Sequence, residues 1–324
     1  MTTTGPWRAL RNISGPLPAR LTDIDALNRV FSDAFTERYR RDGMVGVRVP
    51  FLNPAIWRYA IEDADGGAML WRDERDEIVA FNVVHRSGIE GWMGPLAVRP
   101  EWQGTGVGKV IVQAGIDRLR ERQARVIGLE TMPRTMDNIG FYSRLGFTPG
   151  PLTITLTLEA STREVPVPLL GALSARDRAT MVDECRRLTD QQLAGYDFSR
   201  EILLTLDLGL GDVALRYERG SLTGFALFHA APLVEGRPRE ELRVLKLVVA
   251  READLAAMAP MLAGAARQMG TRSVALRLQG GYLRAYRALI ELGARVRWTD
   301  LRMTMDDAPE PRPAEGMVLS NWEI

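Results

Sequence analysis

The spacing of apolar residues predicts a helix and several strands in the first third of the chain. Between Thr22 and Arg41, apolar side chains recur every three or four positions, which predicts an amphipathic helix capped by Thr22 or Asp23. The segment from Gly67 to His85 predicts two strands around the polar turn RDERDE, and GWMGPLAV predicts a further strand. A helix followed by strands favours a mixed α/β fold.

Helices and strands continue in alternation up to residue 159. A broad apolar face from Val107 to Gln123 predicts a packed helix, and RVIGLE, residues 125–130, predicts a buried strand. MDNIGFYSRLGF predicts a short helix that is ended by Gly146 in the C′ position. In LTITLTLE, residues 152–159, leucine and isoleucine alternate with threonine, which predicts a strand with one buried face.

The pattern then starts again, which predicts one fold used twice. Without gaps, GAMLWRDERDEIVAFNVVH from Gly67 aligns with GDVALRYERGSLTGFALFH from Gly211. LAVRPEWQGTGVGKVIV from Leu96 aligns with LVVAREADLAAMAPMLA from Leu247, and RLGF aligns with ELGA. The second copy keeps the order of elements but has no glycine where the first copy has QGTGVG. It is therefore expected to be degenerate.

The repeat sets the expected domain organisation. An intact, catalytic domain is expected over residues 1–160 and a degenerate domain over residues 169–305, with the boundary in the polar, proline-containing stretch EASTREVPVP. Residues 306–324 are expected to form an extended C-terminal tail, whose MVLSNW segment could pack back on either domain.

A glycine-rich loop, VRPEWQGTGVGK, precedes the helix predicted at Val107. Glycine tolerates positive φ and lets an anion approach the backbone N–H groups at a helix start, so the loop favours a phosphate-like ligand. A Walker A loop is excluded because Gln103 replaces its first glycine, and Val110 follows Lys109 where serine or threonine is needed. A dinucleotide fingerprint is excluded because no glycine stands at its sixth position.

Composition excludes several function classes. The 324 residues suit two domains of roughly 150 residues each. A formal net charge of +1 provides no global field for nucleic acid or an anionic membrane. The single cysteine, Cys185, excludes an intramolecular disulfide and a thiolate zinc cluster, and with only two histidines no metal site is expected. The polar N-terminus, MTTTGPWRALRN, and the lack of a long apolar run predict a cytoplasmic protein.

The order of these elements resembles the GNAT acyltransferase superfamily. The resemblance rests on the strand GPLAV, on Gln103, Gly106 and Gly108 as a Q-x-x-G-x-G loop opening a helix, and on a later helix bearing FYSRLGF. It is strongest from Ile78 to Phe147, and the superfamily includes tandem chains with one degenerate copy. The resemblance implies an α/β (α+β) fold of two tandem GNAT-like domains, each a mixed, mostly antiparallel twisted sheet flanked by helices.

The resemblance also implies an N-acetyltransferase that moves an acetyl group from acetyl-CoA directly to a primary amine of a small molecule or peptide. In the family the loop binds the pyrophosphate of acetyl-CoA, and the preceding strand hydrogen-bonds the pantetheine like an added strand. Tyr142 would protonate the leaving thiolate, and Asn138, one turn earlier, would face the CoA. The implied cofactor-binding residues are Leu96, Ala97, Val98, Gln103, Gly104, Thr105, Gly106, Val107, Gly108, Lys109, Asn138 and Tyr142.

The general base is left between two glutamates. In the histone acetyltransferases of the family a strand glutamate deprotonates the amine, but here Trp92 holds that place. Glu90 lies two residues upstream on the same face, and Glu130 ends the next strand; either could act directly or through water. The sequence also leaves open a core role for Tyr142, a longer acyl chain, a hydroxyl acceptor, and a non-catalytic CoA-binding or interaction module with the same fold.

A strand-end histidine, His85, is a further candidate for catalysis. Its counterpart His229 recurs in the copy that lacks the glycine loop, which favours a structural hydrogen bond for both. The acceptor and the oligomeric state are not determined by the sequence.

Overall fold

The structure, a computed structural model, describes residues 12–322 of the chain. The stretch up to Arg11, in which no secretory signal was predicted, and the last two residues of the expected tail lie outside the described residues. The helices are α1 (Ile24–Arg41), α2 (Pro54–Asp63), α3 (Val107–Glu121), α4 (Met136–Ser143), α5 (Ala175–Gln192), α6 (Ser199–Asp207), α7 (Leu255–Gln268) and α8 (Leu283–Glu291). The strands are β1 (Ser14–Pro18), β2 (Ala68–Arg72), β3 (Ile78–Ser87), β4 (Glu90–Val98), β5 (Val126–Thr131), β6 (Phe147–Glu159), β7 (Gly211–Glu218), β8 (Ser221–His229), β9 (Glu241–Val249), β10 (Ser273–Gln279), β11 (Arg295–Met305) and β12 (Met317–Ser320).

Local sequence signals account for most element ends in the first half. The predicted first helix is confirmed as α1, and the predicted short helix is confirmed as α4, after which Gly146 has a φ of 93°. The sequence analysis missed α2. Its signal is a capping asparagine followed by proline: the Asn53 side chain accepts from the Ala55 amide at 3.0 Å, and Pro54 opens the helix.

All of the strands above join one mixed sheet, with the order β1-β2-β3-β4-β5-β11-β6-β10-β9-β8-β7 and with β12 paired to β9. Most pairs are antiparallel, whereas β4 with β5 and β9 with β10 are parallel. In the first half α1 and α2 cover one face of the sheet with Phe81 and Val83, and α3 covers the other with Val84. Helices on both faces explain why β3 is buried almost throughout.

The two halves exchange their last strands. β6, the last strand of the first half, pairs with β10 of the second half, and β11, the last strand of the second half, pairs with β5 of the first. The exchanged strands also pair with each other, with Thr153 opposite Asp300. Outward from the central β11–β6 pair, the strands therefore follow an equivalent order on both sides: β5-β4-β3-β2 on one side and β10-β9-β8-β7 on the other. Side chains of β11 consequently lie beside β5, in the sheet of the first half.

The exchange corrects one expectation. The alternation in residues 152–159 predicted a strand with one buried face, but Thr153 and Thr155 are as buried as Leu156, whereas Leu152 is 40% exposed. β6 lies at the centre of the sheet between β11 and β10, and both of its faces are covered from Thr153 to Leu158. A pattern within one segment does not report neighbours that arrive from the other half of the chain.

Candidate active site

The two parallel strands at the centre of the first half diverge. β4 and β5 are paired from Glu90 with Val126 as far as Met93 with Leu129, and β4 then continues to Val98 without β5 as its partner. The Arg99 amide donates to Val79 of β3, so by alternation the backbone groups of Leu96 and the Val98 amide face the other, open edge. An open strand edge of this kind can hydrogen-bond an extended ligand as if it were another strand.

The glycine loop lies at the end of this open edge. Gly104 and Gly106 have φ values of 74° and 93°, a region that glycine adopts with little steric cost. The Gln103 side-chain amide donates to the Val98 carbonyl at 3.0 Å, and the Thr105 hydroxyl donates to the Trp102 carbonyl at 2.6 Å. These two hydrogen bonds fix the turn. Gly106 is the N-cap of α3.

The start of α3 is suited to an anion. Among the described residues no side chain caps it, and its first turn contains no acidic residue. The first amides of a helix point out of its N-terminus, where the helix dipole is positive, and Lys109 adds an exposed positive charge. The loop and the start of α3 together combine the features that suit a phosphate or diphosphate group.

Tyr142 and Asn138 lie on α4, across from the open edge of β4. Tyr142 is 6% exposed and packs edge-on against Phe147, with ring centroids 6.2 Å apart. Burial raises the pKa of the Tyr142 hydroxyl to about 12, so it stays protonated over the physiological range. The side-chain amide nitrogen of Asn138 lies 3.5 Å from the Thr131 hydroxyl at the end of β5.

One cavity joins these elements to the second half of the chain. It has a volume of about 680 Å³ and runs from Gln103, Gly104 and Gly108 along Leu96–Val98 to Tyr142. Its far end is lined by side chains from the second half and the tail: Leu233, Arg277, Trp298, Asp300, Arg302 and Trp322. A smaller cavity of about 470 Å³ adjoins this end, and the two share Tyr39, Leu233, Arg277, Trp298 and Trp322.

The two glutamates that the sequence singled out both lie near the far end, in different settings. Glu90 is fully buried outside the cavity lining; it accepts from the Trp92 indole at 2.8 Å and from the Ser320 hydroxyl at 2.7 Å. Burial raises the pKa of Glu90. Glu130 lines the cavity but is paired with Arg277 and, at 2.8 Å, with Arg302.

The environment of Glu130 works against proton uptake. Burial acts to raise its pKa, but the two guanidinium groups outweigh burial and lower it to about 2. A carboxylate with so low a pKa is a weak base near neutral pH. Glu90 is thus buried without access to the cavity, whereas Glu130 lines the cavity but is a weak base.

Sequence reasoning missed Asp300, because it lies in the second half and reaches the site only through strand exchange. Asp300 lines the cavity, accepts from the Trp298 indole at 3.1 Å and pairs with Arg277 at 3.1 Å. Burial raises its pKa. The available signal was a pair of charged residues, Asp300 and Arg302, at alternate positions on either side of Leu301 in β11.

His85 also lines the cavity, and acceptors hold both of its ring nitrogens. Nδ1 lies 2.7 Å from the Asp63 carboxylate, and Nε2 lies 3.1 Å from the Gly94 carbonyl. Both ring nitrogens are therefore in contact with protein groups. The geometry agrees with a structural hydrogen bond that holds the middle of β4 at Gly94.

The second half differs from the first where the anion site would be. Its helix α7, which aligns with α3, begins directly after Glu252 and Asp254. Asp254 is the N-cap and is paired with Arg251 at 2.9 Å. Carboxylates placed at a helix start occupy the region of positive potential and repel a phosphate.

The comparisons with known proteins agree with this geometry. The sequence model of the acetyltransferase (GNAT) family matches residues 26–147. Residues 26–147 belong to the GNAT family. The match covers the open edge of β4, the glycine loop and Tyr142, whereas the second-half and tail side chains at the far end of the cavity lie outside it.

The chain is also similar to named relatives in sequence and to solved structures in fold. The chain is 37% identical over 71 residues to "N-alpha-acetyltransferase 30" of Schizosaccharomyces pombe; the match covers 22% of this chain and 47% of that protein. The chain thus spans about half the length of the curated relatives it matches. A GCN5-related N-acetyltransferase from Sphaerobacter thermophilus has a TM-score of 0.58 at 15% identity, covering 95% of this chain and 99% of that one.

A second solved structure addresses the duplication. The tandem GNAT protein from the clavulanic acid biosynthesis pathway has a TM-score of 0.58 at 13% identity, covering 93% of this chain and 99% of that one. At these identities the two structures establish the shared fold, a tandem GNAT architecture over nearly the whole chain. Within residues 12–322, there is no cluster of three metal-ligating side chains and no helix long and apolar enough to cross a membrane.

Proposed function

We propose that the chain is an N-acetyltransferase that uses acetyl-CoA as donor, with one cofactor site in residues 1–160. The observation that carries the proposal is one continuous cavity that joins the glycine loop, the open edge of β4 and Tyr142 to its far end. This far end, the acceptor chamber, is lined by side chains of the second half and the tail: Leu233, Arg277, Trp298, Asp300, Arg302 and Trp322. Acetyl-CoA brings an activated thioester and a diphosphate that suits the start of α3. The residues proposed to hold it are Leu96–Val98, Gln103–Lys109, Asn138 and Tyr142.

The reaction proposed is direct acetyl transfer to a primary amine. A neutral amine attacks the thioester carbonyl, a C–N bond forms, the C–S bond breaks, and the amine gives up one proton while the thiolate gains one. The Tyr142 hydroxyl faces the leaving sulfur and supplies a hydrogen bond or proton to it. The open backbone groups of β4 would hold the pantetheine, and bound acetyl-CoA would supply the activated thioester.

For the base, the contacts favour a carboxylate of the second half over either glutamate of the first. Among the described residues, the carboxylates that line the cavity are Glu130, Asp137 and Asp300. Asp300 combines access to the acceptor end with a pKa raised by burial, whereas Glu130 is held by two arginines. We therefore place Asp300 as the group that receives the amine proton, directly or through water, and Glu130 as the group that positions Arg277.

The two halves have different proposed roles. Residues 1–160 carry the donor site, residues 169–305 form a degenerate domain that completes the acceptor chamber, and residues 306–324 form the tail. A small-molecule or peptide amine is the proposed acceptor, with no metal, nucleic acid or membrane involved and a cytoplasmic location. Peptide N-termini are included because the Schizosaccharomyces pombe relative is named for α-amine acetylation.

The test is an acceptor screen with the full-length chain. Acetyl-CoA is incubated with peptides bearing free N-termini and with small amines, free thiol is followed by colour reaction, and acetylated product is identified by mass. The proposal predicts thiol release that depends on the amine and product heavier by one acetyl group.

A Gly106→Glu variant places a carboxylate at the start of α3 and should lose the activity. Its matched control is Gly270→Glu, which places the same residue at another positive-φ glycine, after α7. Acetyl-CoA binding without transfer to any amine would instead favour the alternative, a CoA-binding or interaction module. That alternative is kept because neither predicted glutamate is both accessible and basic.

A further inference from the structure

The second half also contains a pair of diverging parallel strands. β9 and β10 are paired from Glu241 with Ser273 as far as Arg243 with Ala275, and β9 then continues to Val249. This repeats the divergence of β4 and β5 in the first half. Because Leu247–Val249 aligns with Leu96–Val98, the second half has a crevice equivalent to the proposed donor site.

The tail fills this crevice. Met317–Ser320 pairs antiparallel with β9 in the register Met317 with Val249 to Ser320 with Lys246, and the next amide, of Asn321, donates to Leu245 at 2.8 Å. The Asn321 side chain then reaches across to the Arg277 carbonyl of β10 at 3.1 Å. The tail therefore hydrogen-bonds the residues of β9 that align with the open edge of β4.

Polar contacts hold the tail strand from both halves of the molecule. Ser320 donates to Glu90 of β4 at 2.7 Å and accepts from the Lys246 ammonium of β9 at 2.9 Å. Its carbonyl accepts from Arg302 at 3.1 Å. The four residues of β12 are all buried. A segment that is buried, paired and hydrogen-bonded in this way is part of the folded core.

Trp322, two residues after β12, reaches the acceptor chamber. Trp322 lines both cavities, and the Lys246 ammonium lies 3.5 Å from the centroid of its ring. The ring lies 5.7 Å from Trp92 and 5.9 Å from His85, both of which line the larger cavity. The tail thus ends its path along β9 by placing an indole at the junction of the two cavities.

We propose that residues 317–322 act as a built-in occupant of the second crevice, closing it to acetyl-CoA, and that Trp322 determines which acceptors fit the shared chamber. The specificity part rests on the proposed function. The occupancy part stands on the strand register and the hydrogen bonds above. A tryptophan fixed on both sides by aromatic and cationic partners forms a rigid wall, and aromatic walls of this kind contribute strongly to recognition.

Hydrogen exchange on the full-length chain tests the occupancy. Without ligand, the amides of residues 317–321 should exchange as slowly as those of β9. Saturating acetyl-CoA should slow exchange at Leu96–Val98 and leave residues 245–249 and 317–321 unchanged. Fast exchange of the tail in the free protein, or a ligand-induced change in the tail or β9, would overturn the occupancy. If acetyl-CoA changes nothing while the tail is protected, the proposed function fails and the occupancy stands.

Steady-state kinetics of Trp322→Ala test the specificity. With the amine of highest turnover from the acceptor screen, its KM should rise about 30-fold, the lower limit for a truncated hot spot, while the KM for acetyl-CoA stays unchanged. Trp322→Phe should recover much of the loss. The matched control is Val318→Ala, which removes buried apolar volume from the same tail outside both cavities and should leave the acceptor KM unchanged. Equal acceptor constants in Trp322→Ala and the wild type would overturn the role of Trp322.

Discussion

Replacing Tyr142 with phenylalanine tests its role at the leaving sulfur. The change removes one oxygen from a side chain that is 6% exposed and packed against Phe147, so the fold should be preserved. Burial raises the pKa of Tyr142 to about 12, whereas an ordinary thiol has a pKa of about 8.5. Complete proton transfer from the phenol to the thiolate is then uphill by about 5 kcal/mol.

The size of the expected effect follows from this difference. A phenol that is a weaker acid than the thiol acts mainly by donating a hydrogen bond to the sulfur as negative charge develops. A hydrogen bond to a charged group contributes about 1.5–3 kcal/mol, so kcat should fall roughly 10- to 150-fold. The KM for acetyl-CoA should change little, because the charge on sulfur is absent from the ground state.

The assay is thiol release at saturating acetyl-CoA. The control for loss of a tyrosine hydroxyl elsewhere is Tyr217→Phe, at an exposed position near the end of β7. The wild-type rate should show no decline from Tyr142 ionisation between about pH 7 and 10, because burial keeps the phenol protonated. An unchanged kcat in Tyr142→Phe would refute the role at sulfur. A decline near pH 10 that the variant lacks would refute the effect of burial on this hydroxyl.

Three further predictions address the rest of the site and its support. Arg302→Met should destabilise the chain by about 3–5 kcal/mol, because it removes the buried partner of Glu90, Glu130 and Glu310. Calorimetry should show a Tm lower by about 4–7 °C. A Tm shift below about 1 °C would contradict this prediction. Asp300→Asn should lower kcat/KM and abolish the fall of kcat/KM at low pH, because that fall reflects protonation of Asp300, whose pKa is raised by burial. Glu130→Gln should keep the fall at low pH, because the pKa of Glu130 is about 2. Burial raises the pKa of Cys185 and keeps its thiol protonated, so Ellman's reagent should modify it only after denaturation, and rapid reaction in the native chain would contradict its burial.

The elements of the proposed donor side were predictable because their determinants are local. The glycines at 104 and 106 are required by the positive φ of the loop, and the helix after them follows from apolar spacing. Tyr142 lies in a segment whose helix is ended by its own glycine. Each of these signals is contained within a few residues, so the sequence pattern predicts both the element and its place in the order.

The acceptor side was not predictable, because it depends on contacts between distant segments. Asp300 and Arg277 reach the chamber through the exchange of β6 and β11, which no pattern within either half records. Trp322 reaches it because the tail pairs with β9, whereas the sequence predicted only an extended tail that packs on one domain or the other. Glu90 and Glu130 were chosen by position, but ion pairs and burial set their basicity, and these depend on Arg277, Arg302 and Ser320.

The central claim, one donor site per chain located at the glycine loop, is tested most directly by calorimetric titration with acetyl-CoA. The wild type should bind one equivalent, Gly106→Glu should bind none, and Gly270→Glu, with the same residue at a positive-φ glycine after α7, should bind as the wild type does. Two equivalents, or binding that is indifferent to Gly106, would contradict the account, because the cofactor would then lie elsewhere than at the start of α3.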